Sequence, residues 1–304
     1  MNNRTTRLYL WSIGTLLLII AGWYIYSYSR LPQPGTDPVT FNGQRAYADV
    51  ETQVAFGPRV PGLEGHAKIL EWMRGELVEA GWQVEVQESE ALGHPIKNVI
   101  AKRSDEPPQI ILGAHYDSRM FADSDPDPTN HSKPVPGAND GGSGVAVLLE
   151  LARTLSEDTP PTWLVFFDAE DNGNIEGWDW ILGSSEFVQN NPLQLRAVII
   201  VDMIGDADLN IYKERNSNPA LTDEIWETAK TLGYESKFIP EYKHSMLDDH
   251  TPFLQAGMPA IDIIDFDYPY WHTIQDTPDK VSAESLQAVG ETLRVWVMQQ
   301  SGQP

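Results

Sequence analysis

The chain of 304 residues contains no cysteine. That absence excludes disulfides, thiolate nucleophiles, thiolate metal ligands and a lipoprotein anchor, so a strong metal site here must be built from carboxylates and imidazoles. Positive charge is also scarce, with 21 Lys and Arg against 44 Asp and Glu and a net charge of −23. Such acidity disfavours nucleic acid and anionic lipid as partners. Several short catalytic signatures are missing as well. Ser143 stands in Gly142-Ser143-Gly144, which is not the Gly-x-Ser-x-Gly of a nucleophile elbow. The same glycine run lacks the lysine of a phosphate loop, and no His-Glu-x-x-His occurs. There is no internal repeat and no long low-complexity run.

What is present begins with an uncharged segment, LYLWSIGTLLLIIAGWYIY, at 8–26. A helix crossing a bilayer core needs about 20 such residues. Trp11 at one end and Trp23, Tyr24, Tyr26 and Tyr28 at the other suit the two membrane interfaces. The bulky residues that follow offer no small-residue cleavage site, which favours an uncleaved signal anchor over 8–28 rather than a removed signal peptide. Arg4 and Arg7 precede the span and Arg30 alone follows it closely. The positive-inside tendency then predicts a single-pass membrane protein with a cytoplasmic tail, 1–7, and an extracytoplasmic remainder. Setting aside those three arginines leaves 18 of the 21 basic residues against all 44 acidic ones, about −26 for the remainder. Residues 29–42, rich in proline and polar side chains, read as a linker, and 43–304 as one catalytic domain.

Within that domain helical and strand periods alternate. Residues 65–81 place Ile69, Leu70, Met73 and Leu77 on one helical face, and 82–88 alternate as a strand does. Short apolar runs at 98–102, 109–116, 162–169, 197–204 and 258–265 read as buried strands, with helices at 141–157 and 282–300. The expected fold is therefore α/β, with a mostly parallel central sheet. Ligands in open sheets of this kind gather beyond the carboxyl ends of the strands.

Acidic and imidazole side chains fall at those ends, in GAHYDS (113–118), GANDGGSG (137–144), FFDAEDNG (166–173), VDMIGD (201–206) and YWHTIQDT (270–277). His115 and Asp117 lie two apart in an extended segment, so they point the same way. They read either as a structural pair or as a metal histidine oriented by a carboxylate behind it. Asp140 reads as a helix N-cap or as a ligand on a glycine turn that permits close backbone approach. The loop 119–136, with Asp123, Asp125 and Asp127, reads as a solvated flap, since its glycine spacing does not suit a calcium loop. Glu170 and Asp171 are adjacent acids after an apolar strand. They form an exposed turn, or else one binds a metal while the other carries a proton. Asp202 interrupts an apolar run, where a charge is costly unless paired. His272 stands among Phe266, Tyr268, Tyr270 and Trp271, aromatics that suit a small pocket. His66, His94, His131 and His244 are assigned structural or surface places.

Taken in this order the segments resemble the zinc aminopeptidase superfamily, and most of all its glutaminyl-peptide cyclotransferase branch. The resemblance covers about residue 50 to the C-terminus. It implies a three-layer α/β/α exopeptidase-like fold and metal ligands at His115, Asp140, Asp171, Asp202 and His272. It also implies that Glu170 is the proton shuttle. Pro-Arg-Val-Pro-Gly (58–62), GWDWILGSSEFV (177–188) and Asp-Asp-His-Thr-Pro-Phe (248–253) are similar to cyclotransferase segments. By that similarity Asp249 takes part in cyclisation, with Asp202 expected to help it hold the intermediate, and Trp271 lines the substrate pocket, to which the aromatic stretch adds Phe266 and Tyr270. Two features depart from the branch. Asp171 stands where most relatives have Glu, and the run around Asp140 is closer to the aminopeptidases. The implied activity is conversion of N-terminal glutamine to pyroglutamate with one zinc ion. The alternative is a two-zinc aminopeptidase, and both act on peptide N-termini. A third class, an inactive peptidase-like ectodomain serving as a receptor, would have lost ligand positions, and none is lost.

Overall fold

The computed structural model describes residues 40–301. The expected tail (1–7) and anchor (8–28) lie outside the described residues, as does most of the linker. Among the described residues no helix is long and apolar enough to cross a membrane. The end of the expected linker belongs to the domain instead, whose compact unit begins at Thr40. Phe41 is buried in the main core, and Asn42 caps the first helix by accepting the Arg45 N–H at 3.1 Å. Such a cap contributes about 1 kcal/mol.

Helices α1 (Gly43–Ala55) and α2 (Glu64–Glu79) precede a hairpin of β1 (Gln83–Ala91) and β2 (His94–Lys102). Then come β3 (Ile110–His115), α3 (Gly142–Thr154), β4 (Thr162–Phe167), α4 (Leu182–Asn190) and β5 (Ala197–Asp202). A small parallel pair, β6 (Ile211–Lys213) and β7 (Phe238–Tyr242), flanks α5 (Pro219–Thr231). The short α6 (Thr251–Gln255), β8 (Ala260–Ile264) and α7 (Ala283–Gln299) complete the described chain.

The six-stranded sheet runs β1-β2-β4-β3-β5-β8. β4, β3, β5 and β8 are parallel, while β1 and β2 join antiparallel at one edge. The parallel strands are largely apolar and almost wholly buried, as a sheet covered on both faces requires. Alternate residues feed two cores. Ile110, Leu112 and Ala114 pack under α1, α2, α3, α5 and α7. Ile111, Val165, Phe167, Val198 and Ile200 pack under α4 and α6, through Phe187 and Phe253. The result is the expected α/β/α layering. Its consequence for chemistry is that β3, β4, β5 and β8 all deliver their carboxyl ends to one edge.

Candidate metal centre

Each expected ligand arrives at that edge by a different route. His115 is the last residue of β3 and Asp202 the last of β5. Glu170 and Asp171 follow β4, Asp140 sits on the turn entering α3, and His272 on the loop after β8. Their side chains converge into two groups that share Asp140. One is His115, Asp140 and Asp202; the other is Asp140, Asp171 and His272; within each, a ligand atom from every residue lies within 4.8 Å of the others. Asp140 faces both ways. Its Oδ1 is 3.2 Å from His115 Nε2, and its Oδ2 is 3.8 Å from His272 Nε2. His115 Nε2 is 3.1 Å from Asp202 Oδ1, and His272 Nε2 is 2.8 Å from Asp171 Oδ1. Asp171 therefore reaches the group despite being one methylene shorter than glutamate.

Much of the surrounding structure holds this geometry. The Asp117 carboxylate accepts the N–H groups of Glu170 (3.0 Å) and Asp171 (3.2 Å) and lies 3.4 Å from His115 Nδ1. One side chain so ties the histidine to the acidic loop. Arg59, fully buried, donates to the carbonyls of Tyr116, Pro136, Gly137 and Asp140, clasping the Asp140 turn. Asp276 accepts the N–H groups of Asn139 and Asp140 and the Tyr268 hydroxyl. Burial and the nearby Asp140 push its carboxyl up to about 7. Gly141 has φ +74, and a Cβ there would stand 2.9 Å from the His115 ring, so both backbone and space demand glycine. Ala169, Met203 and His272 hold left-handed φ values without being glycine, strain that gathers in the loops bearing Glu170, Asp202 and His272 itself.

The loop 119–136 is less a solvated flap than a pinned one. Asp125 is buried and accepts from Asp127 N, Asn130 Nδ2 and Ile274 N, while Asp123 pairs with Arg119. Arg119 also donates to the Asp171 carbonyl at 2.9 Å. The loop thereby buttresses the ligand set from outside.

Electrostatically the centre is a buried acid cluster. Burial, with Asp140 next to it, pushes Asp171 up to about 6. Burial would lower His272, but Asp171 and Asp123 hold its imidazolium up, to about 9. His115 follows the same logic, burial outweighed by Asp117, Asp140 and Asp202, and lies well above its ordinary value. Glu170 is raised well above the carboxylate range, first by burial and then by Asp248, Asp171 and Asp249, against His115. Asp140 Oδ2 and Asp171 Oδ2 are buried without a hydrogen-bond partner. Unpaired buried oxygens of this kind are costly unless a cation binds. Four oxygen donors and two imidazoles, with no sulfur, are a donor set that zinc accepts.

Beside the cluster lies a cavity of about 200 Å³. Its floor is carboxylate: Asp140, Glu170, Asp171, Asp202 and Asp248. Its walls are Trp180, Trp271, Phe266, Met246 and Leu247, among others. Trp180 lies nearly parallel to the His272 ring at 6.0 Å, and Phe266 meets Trp271 edge-on at 5.2 Å.

Two expected residues stand outside the lining of this cavity. Tyr270 does not line this cavity. It packs edge-on against Tyr268, under Lys280 Nζ, and borders a separate crevice with Asp206. Trp180 supplies the further aromatic wall, from the loop between β4 and α4. Asp249 is not the acid at the cavity either; its neighbour Asp248 is, and Asp249 is fully buried behind it. The turn into α6 brings the first of these two acids to the cavity. The remaining assignments agree with structural places: His66 bonds Asp168 at 2.7 Å, and His94 stacks on Trp178. Neither Arg59, inside the Pro-Arg-Val-Pro-Gly segment, nor Asp276 has a role that the sequence alone assigns. The signal available for Asp276 was an acid four residues beyond the candidate ligand histidine.

Several known proteins are similar to this chain in sequence and in structure. The model of peptidase family M28 matches residues 98–297. A glutaminyl-peptide cyclotransferase from Gloydius blomhoffii is 25% identical over 297 residues, covering 79% of this chain and 77% of that one. Among solved structures, the Tannerella forsythia glutaminyl cyclase is 38% identical, with a TM-score of 0.78 over 85% of this chain and 98% of that one. A Zn-dependent exopeptidase from Parabacteroides distasonis is 35% identical, with a TM-score of 0.79 over the same shares, 85% and 98%.

Proposed function

The chain belongs to peptidase family M28, and from that premise we propose that it is a zinc-dependent glutaminyl-peptide cyclotransferase. The observation that carries this reading is the small aromatic-walled cavity directly over the acid cluster, with Glu170 in its floor. Its aromatic walls and carboxylate floor suit a side chain that is apolar along its length and ends in an amide.

Asp140, Asp171 and His272 would hold the zinc ion. A zinc ion bound there supplies Lewis acidity toward the γ-carboxamide oxygen of the substrate. Trp271, Trp180 and Phe266 clamp the side chain, excluding water and orienting the amide. Glu170 accepts a proton from the α-amine as that nitrogen attacks the γ-carbonyl carbon, then delivers it to the amide nitrogen, which leaves as ammonia. The α-nitrogen to Cδ bond forms, the γ C–N bond breaks, and no oxidant or water is consumed. Asp248, with Asp202, accepts N–H groups of the substrate and holds the intermediate against the floor.

One observation favours a second reading. His115, Asp140 and Asp202 complete a second ligand set that shares Asp140. Two ions so bridged, with Glu170 as the base for water, would make an aminopeptidase. The purified enzyme incubated with a Gln-initiated and a Leu-initiated peptide separates the two. Mass spectrometry should find loss of one ammonia from the first peptide and no change in the second. Release of a whole N-terminal residue from either would replace the cyclase by a peptidase. In both readings the substrate is a peptide N-terminus.

We further propose that the segment over 8–28 anchors the enzyme with its catalytic domain outside the cytoplasm. Protease added to intact cells should then remove the domain, whereas full protection would overturn this orientation.

A further inference from the structure

A second buried group lies behind the cavity, and the proposed reaction uses only its outermost member, Asp248. Asp248, Asp249 and His250 form the turn into α6, and Asp262 stands in the middle of β8, in Ala-Ile-Asp-Ile-Ile. All four are buried, with His250 and Asp249 fully so and Asp262 1% exposed. An ionised carboxylate inside an apolar strand is costly unless something compensates it. Hydrogen bonding does not. Both carboxylate oxygens of Asp262 and Nδ1 of His250 are buried without any hydrogen-bond partner. Glu214, the next acid outward, is occupied elsewhere: its carboxylate accepts from Asn216 N, Ser217 N, Ser217 Oγ and Met246 N. It stands 3.5 Å from His250 Nε2.

Ligand atoms of this group converge. One ligand atom each from Asp248, His250 and Asp262 lies within 4.8 Å of the other two. We propose that these three residues form a further cation site, distinct from the two that share Asp140, and that it takes a divalent transition-metal ion. One imidazole and two carboxylates are the donor set of zinc or manganese, and the two carboxylate charges match the ion. Calcium, which prefers six to eight oxygens, suits an imidazole-containing site less well. Burial and the carboxylates of Asp248, Asp202, Glu214 and Asp249 all raise the Asp262 carboxyl, repulsion that a bound cation would relieve. Through Asp248 the ion would also fix the orientation of an acid that borders the cavity.

The test counts metal in a background where the Asp140 sites are disabled, so its outcome does not depend on which reaction the enzyme performs. Full-length Asp140→Asn protein is stripped with chelator, dialysed against zinc or manganese chloride, and analysed for metal content. One ion per chain is expected, falling to none in the Asp140→Asn/Asp262→Asn and Asp140→Asn/His250→Gln proteins. No ion in the single variant overturns the site, as does an ion that survives both second substitutions. Should a double variant fail to fold, manganese EPR of the Asp140→Asn protein alone still decides. One tightly bound ion with a raised melting temperature supports the site, and only free manganese overturns it.

Discussion

Replacing Glu170 by glutamine is expected to lower kcat by about 10²–10⁴-fold while leaving metal content unchanged, the range typical of a lost general acid–base group. The two side chains are nearly isosteric, and the features that position the residue survive the change. Its backbone N–H still donates to Asp117 at 3.0 Å, and its neighbour Asp171 still faces His272. What disappears is the capacity to take up and release a proton. Burial and the surrounding carboxylates raise the Glu170 carboxyl well above its ordinary range, which favours a protonated form able to give up a proton. Asp248 and Asp202 also border the cavity, so they are the rivals for the role. Steady-state kinetics with a Gln-initiated peptide, alongside elemental analysis, decides the matter. A variant with near-normal kcat would transfer the shuttle to one of those acids, and a variant that lost its metal would make Glu170 a ligand.

The positions of the ligands were legible because the cost of burying charge is legible. His115 and Asp202 close apolar strands, where an uncompensated charge would be unfavourable, whereas Asp140 was marked by the glycine turn that leads into its helix. The same logic applied to Asp262 would have exposed the second acid cluster from the sequence. The sheet was legible for a related reason, since strands covered on both faces are mostly apolar, Asp262 in β8 being an exception. Other features depend on single-residue geometry that no period encodes. Whether Asp248 or Asp249 meets the cavity is decided by the turn in which the Asp248 carbonyl accepts the Thr251 N–H. Whether Tyr270 or Trp180 walls it is decided by loops that meet only in three dimensions. Strand β6 has three residues, too few for alternation to register. Helix α5 carries a start signal in the sequence, Asn218 capping ahead of Pro219.

Converting Asp140 to asparagine should have the broadest effect of any single substitution at the centre. Both ligand sets include this residue, so the change weakens both at once, whereas Asp171→Asn or Asp202→Asn touches one. Asparagine keeps the shape and the backbone contacts. Arg59 still donates to its carbonyl, and its N–H still reaches Asp276, so the turn and the fold should persist. The charge is what goes, and with it the acceptor that faces His115 with one oxygen and His272 with the other. Electrophilic stabilisation by a metal is worth several kcal/mol, so turnover should fall on the order of 10³-fold or more. Asp117→Asn makes the calibrating comparison. It removes a carboxylate behind His115 rather than a ligand, and changes of that kind cost about 10–100-fold in metal affinity. Metal content after dialysis should therefore rank wild type above Asp117→Asn and Asp117→Asn above Asp140→Asn, with melting temperatures confirming that all three are folded. An Asp140→Asn protein that retains wild-type metal and activity would remove the residue from the centre, and with it the claim that one carboxylate joins the two ligand sets.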